Sequence, residues 1–360
     1  MWEGNSSKVG KAGHMRLPLF IVSLIICLSV ICGCDNKPVS SSAKQYSVAS
    51  PTLSPDNDNI IFVCCEINGS CDLAVYEIST KKLRKSNPTK NQYLGGPVFF
   101  KDGQYITFAS GQNDDRNIFV MNADGTGLRQ LTHTVNDKSL RENGEPIVRM
   151  NAVPSFSPDG KKIIYIRSGI RRQRSMGGEM VSHWDVYETD LATGTEKQMT
   201  NYRYYMMTRP FYLPDSKSFI FSGSGPKGAD LPEEMNAKNG NEIMMMKPGQ
   251  KHPQRAFEHP TAAYDPAVSL NGSIAFVSRT NEYDGTKSPY TYDIFIRQAN
   301  QTRRLTTEKF AIIANPVISF DGSKVVFLAS KTRDEGAVLW LANSDGTGAT
   351  NIGRPWKQLK

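Results

Sequence analysis

The chain has 360 residues, a formal net charge of +8 and 39% hydrophobic residues, with a mean hydropathy of −0.43. That length fits one large domain or two ordinary ones, and the hydropathy excludes a multi-span membrane protein. Basic and acidic residues are interspersed with no polybasic tail, which argues against nucleic acid as a partner and leaves an anionic surface or an acidic partner as the counterpart of the charge.

In chain order, Arg16 comes first, ahead of an apolar run over residues 17–31 that ends at Ile31-Cys32-Gly33-Cys34. The run is too short and too near the terminus for a spanning helix. A basic residue, an apolar core and a small residue before a cysteine resemble a bacterial lipoprotein signal with its lipobox. The resemblance implies cleavage after Gly33 and lipids on the thiol and new amino group of Cys34; an uncleaved amino-terminal anchor is the other reading. Met15 also serves as a start, since residues 1–14 add nothing that a signal needs. Asp35 resembles the residue that keeps enterobacterial lipoproteins in the inner membrane. Residues 1–33 are thus expected to be a signal peptide and 34–45, rich in Ser and Lys, a flexible tether. Removing 1–33 takes away three basic residues and one acidic one, which lowers the formal charge from +8 to +6.

From residue 46 a pattern returns about every 50 residues. Its clearest copy is Ser155-Phe-Ser-Pro-Asp-Gly-Lys-Lys-Ile-Ile-Tyr-Ile-Arg-Ser168, which reads as strand, tight turn, strand. Pro158 pre-sets φ, Asp159 accepts a local backbone hydrogen bond and Gly160 tolerates positive φ. Six copies place the turn Asp, or Asn271 in one of them, at 56, 102, 159, 215, 271 and 321. A second hairpin follows each copy, as in residues 117–132 and 185–200, with weaker versions at 72–85, 242–256, 293–306 and 338–352. Asp-Gly and Thr-Gly pairs supply its tight turns. Four short antiparallel strands per repeat, six times, with no helical period between them, predict an all-β, six-bladed β-propeller over 46–353 and a carboxy-terminal tail over 354–360. The turn aspartates, one per blade, are too dispersed to share an ion.

These Ser-Pro-Asp-Gly repeats resemble the propeller of the TolB family of periplasmic proteins, over residues 46 to 353. The resemblance implies a fold and a periplasmic location, and says little about function, because unrelated proteins share the repeat. TolB proteins carry a separate amino-terminal domain, for which this sequence leaves no room, so a TolB-like propeller lipoprotein is expected.

Strand parity carries the functional argument. With strands A to D counted outward from the axis, A–B and C–D turns share one face and B–C and D–A connections share the other. The long connections, 133–150, 169–184, 223–241 and 280–292, all fall on the second face, clustered over blades 3 to 5. Long loops concentrated on one rigid face suit a binding surface; neutral insertion is the competing account. Arg171, Arg172 and Arg174 form a basic knot beside His183 and Trp184, with Asp230, Glu233 and Glu234 as an acidic neighbour. Tyr204, Tyr205 and Arg209 enter blade 4 near the channel mouth, as Tyr264 and Asp265 enter blade 5. Tyr and Arg are frequent at binding hot spots, although an aromatic run can equally be a lid packed on the channel.

Beyond Cys34 the thiols are Cys64, Cys65 and Cys71, across the short loop 66–70. A hairpin disulfide from Cys71 to Cys64 or Cys65 is expected in an oxidising compartment, rather than a metal site. No nucleophile elbow, phosphate loop or His-Glu-x-x-His motif is present. His133, His183 and His259 map to the long-loop face but to separate loops. The sequence therefore points to a binding module without enzymatic activity, metal or cofactor: a monomer, lipid-anchored in the periplasm, that recognises a cell-envelope protein. A carbohydrate-binding or metal-dependent polysaccharide-cleaving propeller is the alternative.

Overall fold

The computed structural model describes residues 46–358 apart from 67–68, 113–114, 135–140, 143–144, 174–177, 203, 227–240, 260–261, 281–290, 309 and 333–335. Cys34 and the segments 1–33 and 34–45 lie outside the described residues, as do Arg174, Asp230, Glu233 and Glu234.

Local chemistry sets each first hairpin. At all six turns the Asp or Asn side chain accepts the backbone N–H two residues on, at 2.8–3.1 Å, which closes the turn and frees the flanking chain to pair. The Ser54 hydroxyl and the Asp58 N–H hold the Asp56 carboxyl below its ordinary value. In repeat 1 the turn joins β1 (Tyr46–Leu53) to β2 (Asn59–Glu66), and β3 (Cys71–Glu77) and β4 (Lys82–Ser86) complete an antiparallel sheet in chain order. Repeat 5 repeats this with β19 (Ala263–Val268), β20 (Ile274–Arg279), β21 (Tyr292–Gln298) and β22 (Gln301–Arg304), and repeat 6 with β23 (Ile312–Ile318), β24 (Lys324–Ser330), β25 (Val338–Asn343) and β26 (Thr350–Gly353).

Repeats 2 to 4 are joined in one fourteen-stranded sheet. It holds β5 (Tyr93–Phe99), β6 (Tyr105–Gln112), β7 (Asp115–Asn122) and β8 (Arg129–Gln130) of repeat 2. Repeat 3 adds β9 (Arg141–Glu142), β10 (Glu145–Phe156), β11 (Lys162–Gln173), β12 (Gly178–Asp190) and β13 (Glu196–Gln198). Repeat 4 adds β14 (Tyr204–Met207), β15 (Phe211–Tyr212), β16 (Phe219–Pro226), β17 (Glu242–Met246) and β18 (Gln254–Arg255). Bridges Met150–Arg116 and Trp184–Tyr204 make the joins.

A four-stranded sheet has two apolar faces to hide. Among the described residues the buried apolar side chains form six clusters, and each lies between two consecutive repeats or, in the last case, between repeats 6 and 1. In that last cluster Val317, Val326 and Leu328 meet Val48, Ile60 and Phe62. The turns follow the same cyclic order. Asp159 N–H donates to Ser216 Oγ (3.1 Å), Asn271 Nδ2 to the Asp321 carbonyl (3.0 Å) and Asn57 Nδ2 to Asp321 Oδ2 (3.2 Å). The result is an all-β, propeller-like arrangement.

Two segments differ from the sequence-based expectation. Within the segment 169–184, expected to be a loop, residues 169–173 and 178–184 continue the ladder: Ile170 pairs with Val181, Arg171 with Met180, Arg172 with Glu179 and Gln173 with Gly178. Once Ser168 and Trp184 are in register, each further pair adds ladder hydrogen bonds, and a bulge at Ser182 absorbs the odd residue. Residues 354–360, expected to be a tail, include a 3-10 turn at Pro355–Gln358. Its Trp356 is 4% exposed and packs edge-on against Phe62 at 5.9 Å, because a free indole at the repeat 6–1 junction gains more by burial than by hydration. Cys65 and Cys71, directly opposed across β2 and β3, form a disulfide. Cys64 is a free, buried thiol, pushed up to about 12 by burial.

Candidate functional site

Every first strand runs toward its Asp turn, so the two ends of the molecule differ in kind. One is the turn end and the other carries the longer connections. At mid-height the first strands share a feature that the turn residues predict by a fixed offset. Pro51, Pro97, Pro154, Pro210, Pro266 and Pro316 each stand five residues before the turn Asp or Asn. The residues preceding them are Ser50, Gly96, Val153, Arg209, Asp265 and Asn315. Five of the six adopt positive φ, from 46° to 58°, and the register slips there in β1, β5, β10, β19 and β23. In repeat 4 the first strand breaks at this point into β14 and β15. A left-handed residue next to a proline takes the chain out of the ladder, and its polar groups turn toward the neighbouring first strands.

These residues touch in cyclic order. Ser50 N–H donates to Asn315 Oδ1 (3.4 Å), Asn315 Nδ2 to Asp265 Oδ2 (3.2 Å) and Asp265 N–H to Thr208 Oγ1 (3.3 Å). Ser155 Oγ donates to the Pro210 carbonyl at 2.7 Å. Between repeats 2 and 3 the approach is closest: a Cβ on Gly96 would lie 2.9 Å from Val153 Cα, so only glycine fits. The axial contacts are therefore apolar between repeats 2 and 3 and polar from repeat 4 through 5 and 6 to 1, where Arg209 (5% exposed) stands beside Asp265. Asp265 keeps some open surface but is deeply surrounded. Burial pushes its carboxyl above the ordinary value, against the pull of the Arg209 charge and the Asn315 N–H.

The sequence-predicted residues thus separate into two groups. Arg209, Tyr264 and Asp265 belong to the axial ring or its flank, with Tyr264 edge-on to Tyr292 at 5.6 Å. Arg171, Arg172 and His183 lie on β11 and β12 in a raised ribbon, and Tyr205 lies on β14. Trp184 and Tyr204 are brought together, but both are 2% exposed inside the cluster between repeats 3 and 4, where they pack the junction. The histidines are not gathered. His133 is exposed beyond β8, whereas His259 is buried against Glu242 at 2.9 Å, beside the Arg255–Glu242 pair. Among the described residues no group of three His, Cys, Asp or Glu is placed to hold a metal ion. The ring residues Ser50, Gly96, Val153 and Asn315 escape a motif-based reading, yet the prolines at constant spacing would have located them.

No protein-family model and no curated protein matches the sequence. Solved structures do resemble the fold. TolB from Acinetobacter baumannii superposes with a TM-score of 0.51 at 19% identity, over 83% of this chain and 61% of TolB, so the chain spans less than two thirds of that protein. An oligogalacturonate lyase in complex with manganese gives 0.53 at 14% identity, over 86% of this chain and 78% of the lyase. Acylaminoacyl peptidase from Pyrococcus horikoshii gives 0.50 at 13% identity, over 86% of this chain and 46% of the peptidase. The two enzymes correct the expectation of a protein without enzymatic activity, because this architecture serves enzymes as well. The chain has a TolB-like β-propeller fold.

Proposed function

We propose that the chain is a six-bladed propeller with four antiparallel strands per blade, tethered in the periplasm through a lipidated Cys34, and that it binds a cell-envelope protein on its connection end. One observation carries this reading. Strand β11 continues fourteen residues past its turn aspartate, whereas the other second strands stop eight to eleven residues past theirs. Repeat 3 therefore raises a ribbon by three to six residues, roughly 10–20 Å at about 3.3 Å per residue, over the end where the other long connections are expected. The cyclic succession of six apolar clusters supports the blade count, and the TolB-like fold supports a binding scaffold.

The test is crosslinking in intact membranes, followed by capture of the chain with residues 170–181 replaced by a two-residue turn. Loss of the partner with an unchanged melting temperature is the expected result. Full capture by the shortened chain would overturn the assignment of this end. Separately, Cys34→Ser should abolish lipid labelling and block cleavage after Gly33. The likeness to the manganese-bound lyase favours a second reading, a carbohydrate-binding or metal-dependent polysaccharide-cleaving propeller, which stoichiometric divalent metal in the purified protein would support.

A further inference from the structure

We propose that the outer edge of repeat 1, strand β4 with its flanks, rests on the headgroups of an anionic phospholipid bilayer. This goes beyond the partner site above but rests on the tether, since a lipidated Cys34 is what brings repeat 1 to a membrane. From Ile78 to Lys101 the sequence holds six basic residues and no acidic one. Five of them, Lys81, Lys82, Arg84, Lys85 and Lys90, lie on β4 or close to its ends, and all five are exposed. Strand β4 ends the order β1-β2-β3-β4, so this row runs along the rim of the sheet. Among the described residues only Lys85 of the five has an ion pair, to Asp72 at 3.0 Å. Glu77, which stands opposite Lys82 in the ladder, accepts the Thr80 hydroxyl instead. The other outermost strands differ. Strand β26 has no charged residue, β8 has Arg129 alone and β13 sets Lys197 beside Glu196. Arg255 of β18 is paired with Glu242 and Glu258, and Arg304 of β22 with Asp293, while Arg303 donates to the Ser344 carbonyl. Lysine on an open edge also deters strand addition, but Lys81 and Lys90 stand outside the strand and have no edge to protect.

Charge asks for an anion, and two further observations choose lipid. Residues 81–90 contain no aromatic side chain, the type that anchors protein interfaces and stacks nucleobases. A headgroup surface needs no such anchor, because its attraction for lysine and arginine is diffuse and adds residue by residue within a Debye length. The second observation is the chain before the fold. Twelve residues, 34–45, separate Cys34 from β1, and a coil of that length spans roughly 20 Å. Strand β4 lies three strand steps from β1, about 14 Å at the usual spacing. An anchor on Cys34 therefore holds this rim within reach of the same bilayer. The lipid would fix the protein to the membrane, and the basic rim would set which side faces it.

The test places the full chain in nanodiscs of phosphatidylcholine, with or without phosphatidylglycerol, and follows lysine acetylation by a soluble reagent. Phosphatidylglycerol should slow the labelling of Lys81, Lys82 and Lys90 roughly threefold or more, an effect that high salt removes. Lys197 and Lys217, exposed on repeats 3 and 4, should be unaffected. Lys82→Glu with Arg84→Glu should return Lys81 and Lys90 to their rates in phosphatidylcholine, with far-UV dichroism unchanged. If that variant does not fold, Lys82→Gln with Arg84→Gln takes its place. Equal rates in the two kinds of disc, protection that survives the charge changes, or equal slowing of Lys197 and Lys217 would each overturn the proposal. Soluble polyglutamate that protects the three lysines over phosphatidylcholine as well as phosphatidylglycerol does would reassign the rim to an acidic protein. Failure of the wider reading looks different. A missing lipid label on Cys34 in cells removes the tether, whereas a labelled chain with equal lysine rates removes the basic rim alone.

Discussion

The turn end and the connection end are made of the same six repeats under opposite constraints. At the turn end one solution recurs six times, an Asp or Asn closing on the N–H two residues later, and neighbouring turns lean on one another from Pro55 against Gly103 to Asn57 against Asp321. At the connection end the described parts of the repeats vary more. Trp356 plugs the junction of repeats 6 and 1, while repeat 3 raises its first three strands past its neighbours. The difference teaches where variation is tolerated. A tight turn fixes the register of two strands, so altering it moves a whole blade. A connection that merely returns the chain can lengthen at little cost, since each doubling of a loop adds only about 0.6 kcal/mol. Binding surfaces accumulate where length is free.

The largest expected effect breaks the assumption that the connection end is uniformly permissive. Trp356→Ala removes a 4%-exposed indole from the apolar cluster between repeats 6 and 1. Loss of a large buried aromatic costs about 3–5 kcal/mol, which urea unfolding would show as a lower midpoint with an unchanged slope. A shift below about 1 kcal/mol would mean that the two repeats hold together without it.

Next comes the turn end itself. Gly160 has φ +75°, and a Cβ there would lie 2.6 Å from Phe100 Cζ in the preceding repeat. Gly160→Ala combines a left-handed penalty of about 1–2 kcal/mol with displacement of the Phe100 ring from its contact with Phe156 at 5.1 Å. The expected total is roughly 2–3 kcal/mol. An equivalent substitution at Gly194, also at positive φ but with nothing within 4 Å of its Cβ position, should show the conformational penalty alone. Equal losses at the two glycines would show that the turns do not lean on each other.

Much of this organisation is legible in the sequence, for identifiable reasons. Turn chemistry is local, so Pro158, Asp159 and Gly160 announce their hairpin without help from the rest of the fold. The ribbon looks like a loop in sequence because ladder continuation is a backbone property, and residues 169–184 are too polar to show alternation. Trp356 looks like part of a tail because one indole after a proline has no period. The axial ring was only half visible. Arg209 and Asp265 stood out as charges near aromatics, whereas Gly96, Val153 and Asn315 have no chemistry of their own and acquire a role from the prolines that follow them. Trp184 and Tyr204 are core rather than binding surface, a distinction that sequence does not make when both lie next to long connections.

The ring between the two ends has a pH signature of its own. Burial raises the Asp265 carboxyl above its ordinary value of 3.8, so the folded protein favours the protonated form. The sign follows from linkage. The contribution is fully present below the unfolded value and is lost as pH rises through the raised folded value. Asp265→Asn should remove that decline, so that the stability of the variant relative to the parent improves from pH 3 upward through the carboxylate range. Parallel stability–pH curves for the two proteins would mean that Arg209 and Asn315 compensate the charge fully.

The smallest expected change in stability separates fold from function at the connection end. Replacing Arg171, Arg172 and Arg174 together with Ala changes none of the turn aspartates and none of the residues named in the buried clusters, and substitutions away from such features usually shift stability by only about ±0.5 kcal/mol each. The ribbon ladder is made by main chain, so it should persist, with far-UV dichroism and melting temperature close to those of the parent. Capture of an acidic partner should nevertheless weaken, and its dependence on salt should flatten, because three of the charges that steer the encounter are gone. The matched control adds charge at the turn end, with Asp124→Lys and Asp345→Lys, where the side chains close their own hairpins on Thr126 and Thr347 and Asp345 also feels the charge of Arg303. Binding that survives the arginine changes and falls with the control would reverse the assignment of the two ends while leaving the fold as described.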